Sequence, residues 1–181
     1  MKKAGLLLLS LFIVSYSFSQ KLIKDASWAI NETKEYNGHK IKRISGENNG
    51  VNITNITYQS QNDLIQEVKD NPRLEGDKEK KKIAEYKKYA QGGLVLLFIQ
   101  REGRDNANTS NFSIAVKTSD GKEMFKKKLK DTSARKSSDG AGWYSTAHGY
   151  IGKKVKTPFI VEIEERLPDG NTETFVFEVI E

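Results

Sequence analysis

The chain holds no cysteine. That removes disulfide frameworks, zinc–thiolate sites, iron–sulfur clusters, thiol catalysis and attachment through a lipidated N-terminal cysteine. Histidine is nearly as scarce: His39 and His148 are the two present, so no scheme needing three imidazoles is open. Proline occurs three times, and no Pro- or Ser-rich linker divides the sequence. Gly-rich phosphate loops, zinc-helix motifs and EF-hand loops are missing as well. Asp120 and Asp139 sit in turn-like Asp-Gly pairs, yet neither has the repeating acidic ligands of a calcium loop. Neither a metal nor a cofactor is expected.

What is present suits one globular domain. The chain has 181 residues, of which 36% are hydrophobic and 30% charged. Its start reads as a secretory signal peptide over residues 1–19. Lys2 and Lys3 supply the positive segment, and Ala4–Val14 the apolar one. Ser17 and Ser19 then place small side chains before a cut at Gln20, as the shallow pockets of signal peptidase require. A membrane anchor is the competing reading, but a spanning helix needs about 20 apolar residues, and this run is much shorter. No later apolar stretch is long enough to span, so the mature chain, residues 20–181, is expected to carry no transmembrane segment.

Export without cysteine is more typical of a bacterium than of an animal secretory pathway. The expected destination is the periplasm or the medium. Asn31, Asn52, Asn55, Asn108 and Asn111 each begin an Asn-x-Ser/Thr sequon. In an Asn-rich bacterial chain these are more simply chance matches than glycosylation sites.

Hydrophobic alternation predicts strands along most of the mature chain. Lys40–Ser45 is bounded by Asn37-Gly38 and Gly46. Val51–Tyr58 is rich in β-branched residues, but its apolar parity slips, which predicts a bulge near Thr54–Asn55 or a crossing between sheets. Leu94–Ile99 is continuously apolar, as in a strand buried on both faces. Phe112, Ile114 and Val116 alternate, and Ser119-Asp120-Gly121-Lys122 turns the chain. Trp143–Ile151 is a further strand. Phe159, Val161 and Ile163 mark the next one, and Phe175, Phe177 and Val179 the last, around the turn Leu167–Asn171. Residues 103–111 and 131–142 are polar and predicted to be surface loops.

Residues 62–91 break this rhythm. Asn62 or Asp63 is a candidate cap for a short helix carrying Leu64, Ile65 and Val68, which Pro72 ends. Asp77 is a candidate cap for a second helix, with Ile83, Tyr86 and Tyr89 or Ala90 along one stripe and Gly92-Gly93 at its end. The expected fold is therefore mainly all-β: an antiparallel β-sandwich of six to eight strands, immunoglobulin-like in architecture, with a helical insert around 62–91.

Charge is uneven along the chain. Residues 76–156 hold nineteen basic and nine acidic side chains, a net +10. Residues 157–181 hold one basic and seven acidic, a net −6. The basic middle, with Lys126, Lys127, Lys128 and Lys130 at its centre, is a candidate patch for an anionic partner. The plainer reading is that these lysines guard a sheet edge and that the acidic last hairpin neutralises them. Nucleic acid is not an expected partner, because the lysine runs lack arginine and interleaved aromatics.

One row of residues suggests a binding face. In a strand over Trp143–Ile151, alternate residues share a side, so Tyr144, Thr146, His148 and Tyr150 stand together. Tyrosine rings pack on the apolar CH faces of sugars, while hydroxyls and imidazole bind sugar hydroxyls. The alternative is a half-buried sheet surface with wet hydroxyls. Catalysis has less support. His148 is a candidate general base, but no Gly-x-Ser-x-Gly elbow accompanies it and no acid is placed by motif to orient it. Glu162 and Glu164 share a strand face at glycosidase-like spacing, yet they also form the ordinary outward face of an amphipathic strand. Three readings follow. The first is a non-enzymatic exported binding or accessory protein of the bacterial envelope, with an envelope protein or a glycan as partner. The second is a carbohydrate-binding module on the aromatic face. The third is a small hydrolase using His148.

Overall fold

The computed structural model describes residues 27–180; the leader expected over residues 1–19 lies outside them, as do Gln20–Ala26 and Glu181 of the expected mature domain. The described residues form β1 (Thr33–Tyr36), β2 (His39–Ser45), β3 (Ile53–Gln59), α1 (Gln61–Lys69), α2 (Asp77–Tyr89), β4 (Leu94–Arg101), β5 (Phe112–Thr118), β6 (Glu123–Lys128), β7 (Arg135–Lys136), β8 (Trp143–Tyr150), β9 (Phe159–Arg166) and β10 (Thr172–Val179). Short 3-10 turns cover Pro72–Leu74 and Thr109–Asn111.

Two antiparallel sheets pack face to face. One has the order β1-β2-β10-β9-β5-β6, the other β3-β4-β8-β7. The mainly-β sandwich with a helical insert is thus the fold. It has more strands than expected, because β1 and the two-residue β7 are too short to leave a periodic signal. An immunoglobulin constant domain has fewer strands in all, so the likeness stands only at the level of two packed antiparallel sheets.

The core forms where the two inner faces meet. Ile41, Phe177, Val179, Phe159, Val161, Ile163, Ile114 and Val116 come from the larger sheet, and Ile56, Val95, Leu97 and Ile99 from the smaller. All of these are fully buried. The sheets approach closely at Gly149, where an added Cβ would lie 3.3 Å from Ile114 and Phe125. Trp28 seals the open side over β1 and β2, against Tyr36 and Phe177.

Two buried arginines tie the sheets together at one end. Arg101, the last residue of β4, extends the inward parity of Val95, Leu97 and Ile99. Its Nε donates to Glu165 Oε1 at 2.9 Å, and Nη2 to Glu165 Oε2. Glu165 belongs to β9, so this bidentate pair crosses between the sheets with both side chains less than a tenth exposed. Arg101 Nη1 also donates to the carbonyls of Ile53 and Gln100, and Nη2 to Thr54 Oγ1, each at 2.7 Å. Arg43, from β2, reaches the other way. Its Nη2 donates to Thr54 O at 2.7 Å and Asn55 Oδ1 at 2.8 Å, between the rings of Trp28 and Phe177. Burial pulls this guanidinium down to about 10, against the opposing charges of Glu32 and Tyr36. It is still a cation at neutral pH.

The parity slip in β3 is not a bulge. β3 runs against β4 in unbroken register from Ile53↔Gln100 to Gln59↔Leu94. Ile53–Tyr58 are all buried, so both faces of the strand are covered. Alternation disappears when both sides of a strand are covered. The polar stretches 103–111 and 131–142 are also better anchored than surface loops: Ala107, Thr109, Ala134 and Ser137 are buried. Of the sequons, Asn55 is fully buried and bonded to Arg43, which leaves no room for a glycan there.

The cap of the first helix lies two residues before Asn62, the earlier of the two expected caps. Ser60 caps α1: its Oγ accepts from Asp63 N, while Asp63 Oδ2 accepts from Ser60 N at 2.7 Å, a reciprocal capping box. His39 Nε2 lies 2.6 Å from the same Asp63 oxygen and ties the helix start to β2. Burial pushes the Asp63 carboxyl up, but the bonds from Ser60 and His39 outweigh it and the net direction is down. A carboxyl lowered by folding lends stability above its ordinary value, and that stability is lost as pH falls through the folded value. Ser60→Ala is expected to cost about 1 kcal/mol in urea unfolding at pH 7. Asp63→Asn is expected to flatten the stability profile below about pH 4. An unchanged acid limb in that variant would refute the assignment. At α2, Gly76 rather than Asp77 occupies the cap position, without a side-chain bond.

Candidate functional site

β8 is the strand that carries the aromatic row. Pairing with β4 sets Tyr144 opposite Gln100, Thr146 opposite Phe98, His148 opposite Leu96 and Tyr150 opposite Leu94. Directly paired residues share a face. The alternate set, Ser145, Ala147 and Gly149, turns toward the larger sheet. The four predicted residues are therefore aligned on the outer face of the smaller sheet. Tyr144, Thr146 and Tyr150 are half-buried, and His148 is exposed.

Their neighbours limit what each can do. Tyr144 stacks on the buried Phe98, with ring centroids 6.1 Å apart and planes at 23°. Opposite it, Gln100 is 4% exposed, and its Oε1 has no hydrogen-bond partner among the described residues. His148 meets the edge of Tyr150 at 5.2 Å. Partial burial, then the charges of Lys127 and Lys82, hold its imidazole below the ordinary value, so it is neutral at pH 7. Tyr150 is covered from α2 by Tyr86, at 6.0 Å between centroids. Burial raises both phenols. Lys82 Nζ lies 4.8 Å from the Tyr86 ring centre and pairs with Glu85 at 3.0 Å. The row is thus open toward Tyr144 and roofed at Tyr150 by the insert.

Of the four lysines, Lys126 and Lys128 share one face of β6 and Lys127 stands on the other. Lys126 pairs with Glu164 at 3.1 Å, and Glu164 also accepts from Ser113 at 2.9 Å. Lys117 pairs with Glu162 at 2.6 Å on the same sheet. The two glutamates with glycosidase-like spacing are thus engaged by lysines of β5 and β6. Lys127 stands opposite Ile114, on the other parity from Lys126, and its charge reaches His148. Lys128 and Lys130 are exposed.

Two basic neighbours of the row escaped the sequence. Arg135 stands opposite Tyr144 across the β7–β8 pair, inside a stretch that reads as loop. Lys82 approaches from a helix whose docking no local pattern reports. The other histidine serves structure. In the trio of His39, Asp63 and Ser60, the acid lies between the other two and accepts from both. A hydrolytic triad needs the imidazole in the middle, beside the hydroxyl. Elsewhere, a cavity of about 220 Å³ opens at the end of the sandwich beside Arg101, Glu165, Glu173 and Asn52. Burial, then the charge of Glu165, raises the Glu173 carboxyl, with Arg101 opposing. Arg101 is already saturated by Glu165 and by main-chain carbonyls.

Among the described residues no cluster of histidine and acidic side chains suits a metal ion, and no helix is long and apolar enough to cross a membrane. No protein-family model, curated protein or solved structure matches the chain.

Proposed function

We propose that this chain is an exported, non-enzymatic binding or accessory protein of the bacterial envelope, and that the outer face of the smaller sheet is where it binds. The observation that carries the reading is the alignment of Tyr144, Thr146, His148 and Tyr150 on one strand face, with His148 exposed and the other three half-buried. Aromatic rings there offer apolar contact area, and hydroxyls and a neutral imidazole offer donors and acceptors. The leader-like start, with its lysines, apolar run and small residues before Gln20, supports export.

A glycan is favoured over a protein partner by the narrowness of the row, which runs along one strand instead of spreading into a broad apolar patch. The test is retention of the purified mature chain on polysaccharide gels, with a pull-down from envelope extract in parallel. Tyr144→Ala is expected to abolish retention, because it removes the open ring of the row. His148→Ala is expected to weaken it only in part. Retention untouched by Tyr144→Ala would remove the face from consideration. Turnover of a substrate, lost in His148→Ala, would instead favour a hydrolase.

A further inference from the structure

The outer face of β4 runs Leu94, Leu96, Phe98 and then Gln100. The first three form the apolar side of the strand, and the fourth places an amide where that side would continue. Gln100 pairs with Ile53 on β3 and with Tyr144 on β8. Paired residues share a face, as do residues two apart on a strand, so its neighbours there are Ile53, Phe98 and Tyr144. Ile53 and Phe98 are buried and offer only hydrocarbon. Tyr144 stacks its ring on Phe98. Gln100 is buried among them, and none of these neighbours, the Tyr144 hydroxyl included, gives its Oε1 a hydrogen bond.

Such a group is costly. A carbonyl taken out of water without a donor destabilises a fold, and an apolar side chain of the same length would fill the position without that loss. The adjoining Arg101 makes the contrast: it is as deeply buried, yet each nitrogen of its guanidinium donates. What the Gln100 oxygen calls for is a donor. A sugar hydroxyl is one. The oxygens of a carboxylate or a sulfate only accept, and would face the carbonyl lone pair to lone pair.

We infer that Gln100 is the specificity-determining residue of the binding face: its side-chain carbonyl accepts a hydrogen bond from a hydroxyl of a neutral glycan whose ring packs against Tyr144. The inference rests on the proposed binding face and adds the group that is recognised and the class of glycan that bears it. Tyr144 supplies apolar contact area, and Gln100 reads the hydroxyl. Binding relieves a penalty that the protein carries alone.

Affinity electrophoresis of the full mature chain through dextran and galactomannan, each with and without O-methylation, tests it, with thermal unfolding of every variant alongside. Methylation keeps the sugar rings and the ether acceptors and removes the hydroxyl donors. At least one unmodified polymer is expected to retard the protein, and its methylated form is not. Gln100→Met keeps the length of the side chain and removes the amide. It is expected to weaken retardation by about tenfold or more, with a Tm equal to or above that of the parent, because a polar group without a partner has been removed. A lower Tm for Gln100→Met would show that the amide is satisfied within the fold and would overturn the inference. Retardation that survives methylation would overturn it too. If Tyr144→Ala abolishes retardation and Gln100→Met does not change it, the inference falls and the face stands. If neither substitution matters, or no polymer retards the protein, the face and the inference fall together.

Discussion

Truncating either Arg101 or Glu165 to alanine is expected to destabilise the protein by about 3–5 kcal/mol, lowering Tm by roughly 10 °C or more. Each change leaves the other charge buried without its partner, in a site less than a tenth exposed. The two single losses should not add. A double-mutant cycle is expected to show strong coupling, since the second truncation removes a charge that the first has already stranded. Arg101→Met with Glu165→Leu should recover only part of the loss. Apolar pairs of similar volume often match a buried ion pair, but here the guanidinium also serves the carbonyls of Ile53 and Gln100 and the hydroxyl of Thr54. Those acceptors would stay unpaired. Thermal unfolding of the four proteins decides the matter: single variants within about 1 kcal/mol of the parent would mean that the sheets do not depend on this tie.

Gly93→Ala is the second large expected effect, at about 2–4 kcal/mol. Gly93 has φ +94°, a backbone region that side chains disfavour. A Cβ there would also fall 2.3 Å from the Gln59 carbonyl oxygen and 2.7 Å from the Tyr58 ring. Neither can yield easily. Gln59 is fixed by its pairing with Leu94. Tyr58 is locked by its hydroxyl bond to Gly92 O at 2.9 Å and by edge contact with Phe159 at 5.2 Å. Burial and the charge of Asp63 push that phenol up to about 12, so it stays a donor. Gly121→Ala is the comparison, with similar φ but nothing within 4 Å of its added carbon. It should cost about 1 kcal/mol, the backbone share alone. Equal losses at the two sites would show that packing around Gly93 adds nothing.

These two sites show what the amino-acid order discloses. Glu165 and Arg101 were legible in principle, since each extends an inward alternation: Phe159, Val161, Ile163, Glu165 and Val95, Leu97, Ile99, Arg101. The period continues where the polarity changes, and a long-range partner is what permits it. Strand order was not legible. β10 lies between β2 and β9, and nothing local to β2 announces a neighbour from the far end of the chain. The parity slip in β3 pointed to a bulge or a crossing between sheets because alternation cannot separate either from burial on both faces. The aromatic row was readable from its period of two. Its border was not, because Arg135 is placed by a two-residue strand and Lys82 by the docking of a helix.

Gln59 and Leu94 are register partners, so the chain leaves the smaller sheet and rejoins it at a single point. Everything between them is one excursion from that junction, tied back to β2 through His39 and Asp63 and laid over β8 through Tyr86. Its length can change without moving either strand, at an entropic cost that grows only with the logarithm of the added residues. Because this excursion supplies both the ring over Tyr150 and the amine of Lys82, it is the place where selection or an engineer can reshape the border of the aromatic row while leaving the strand order as it is.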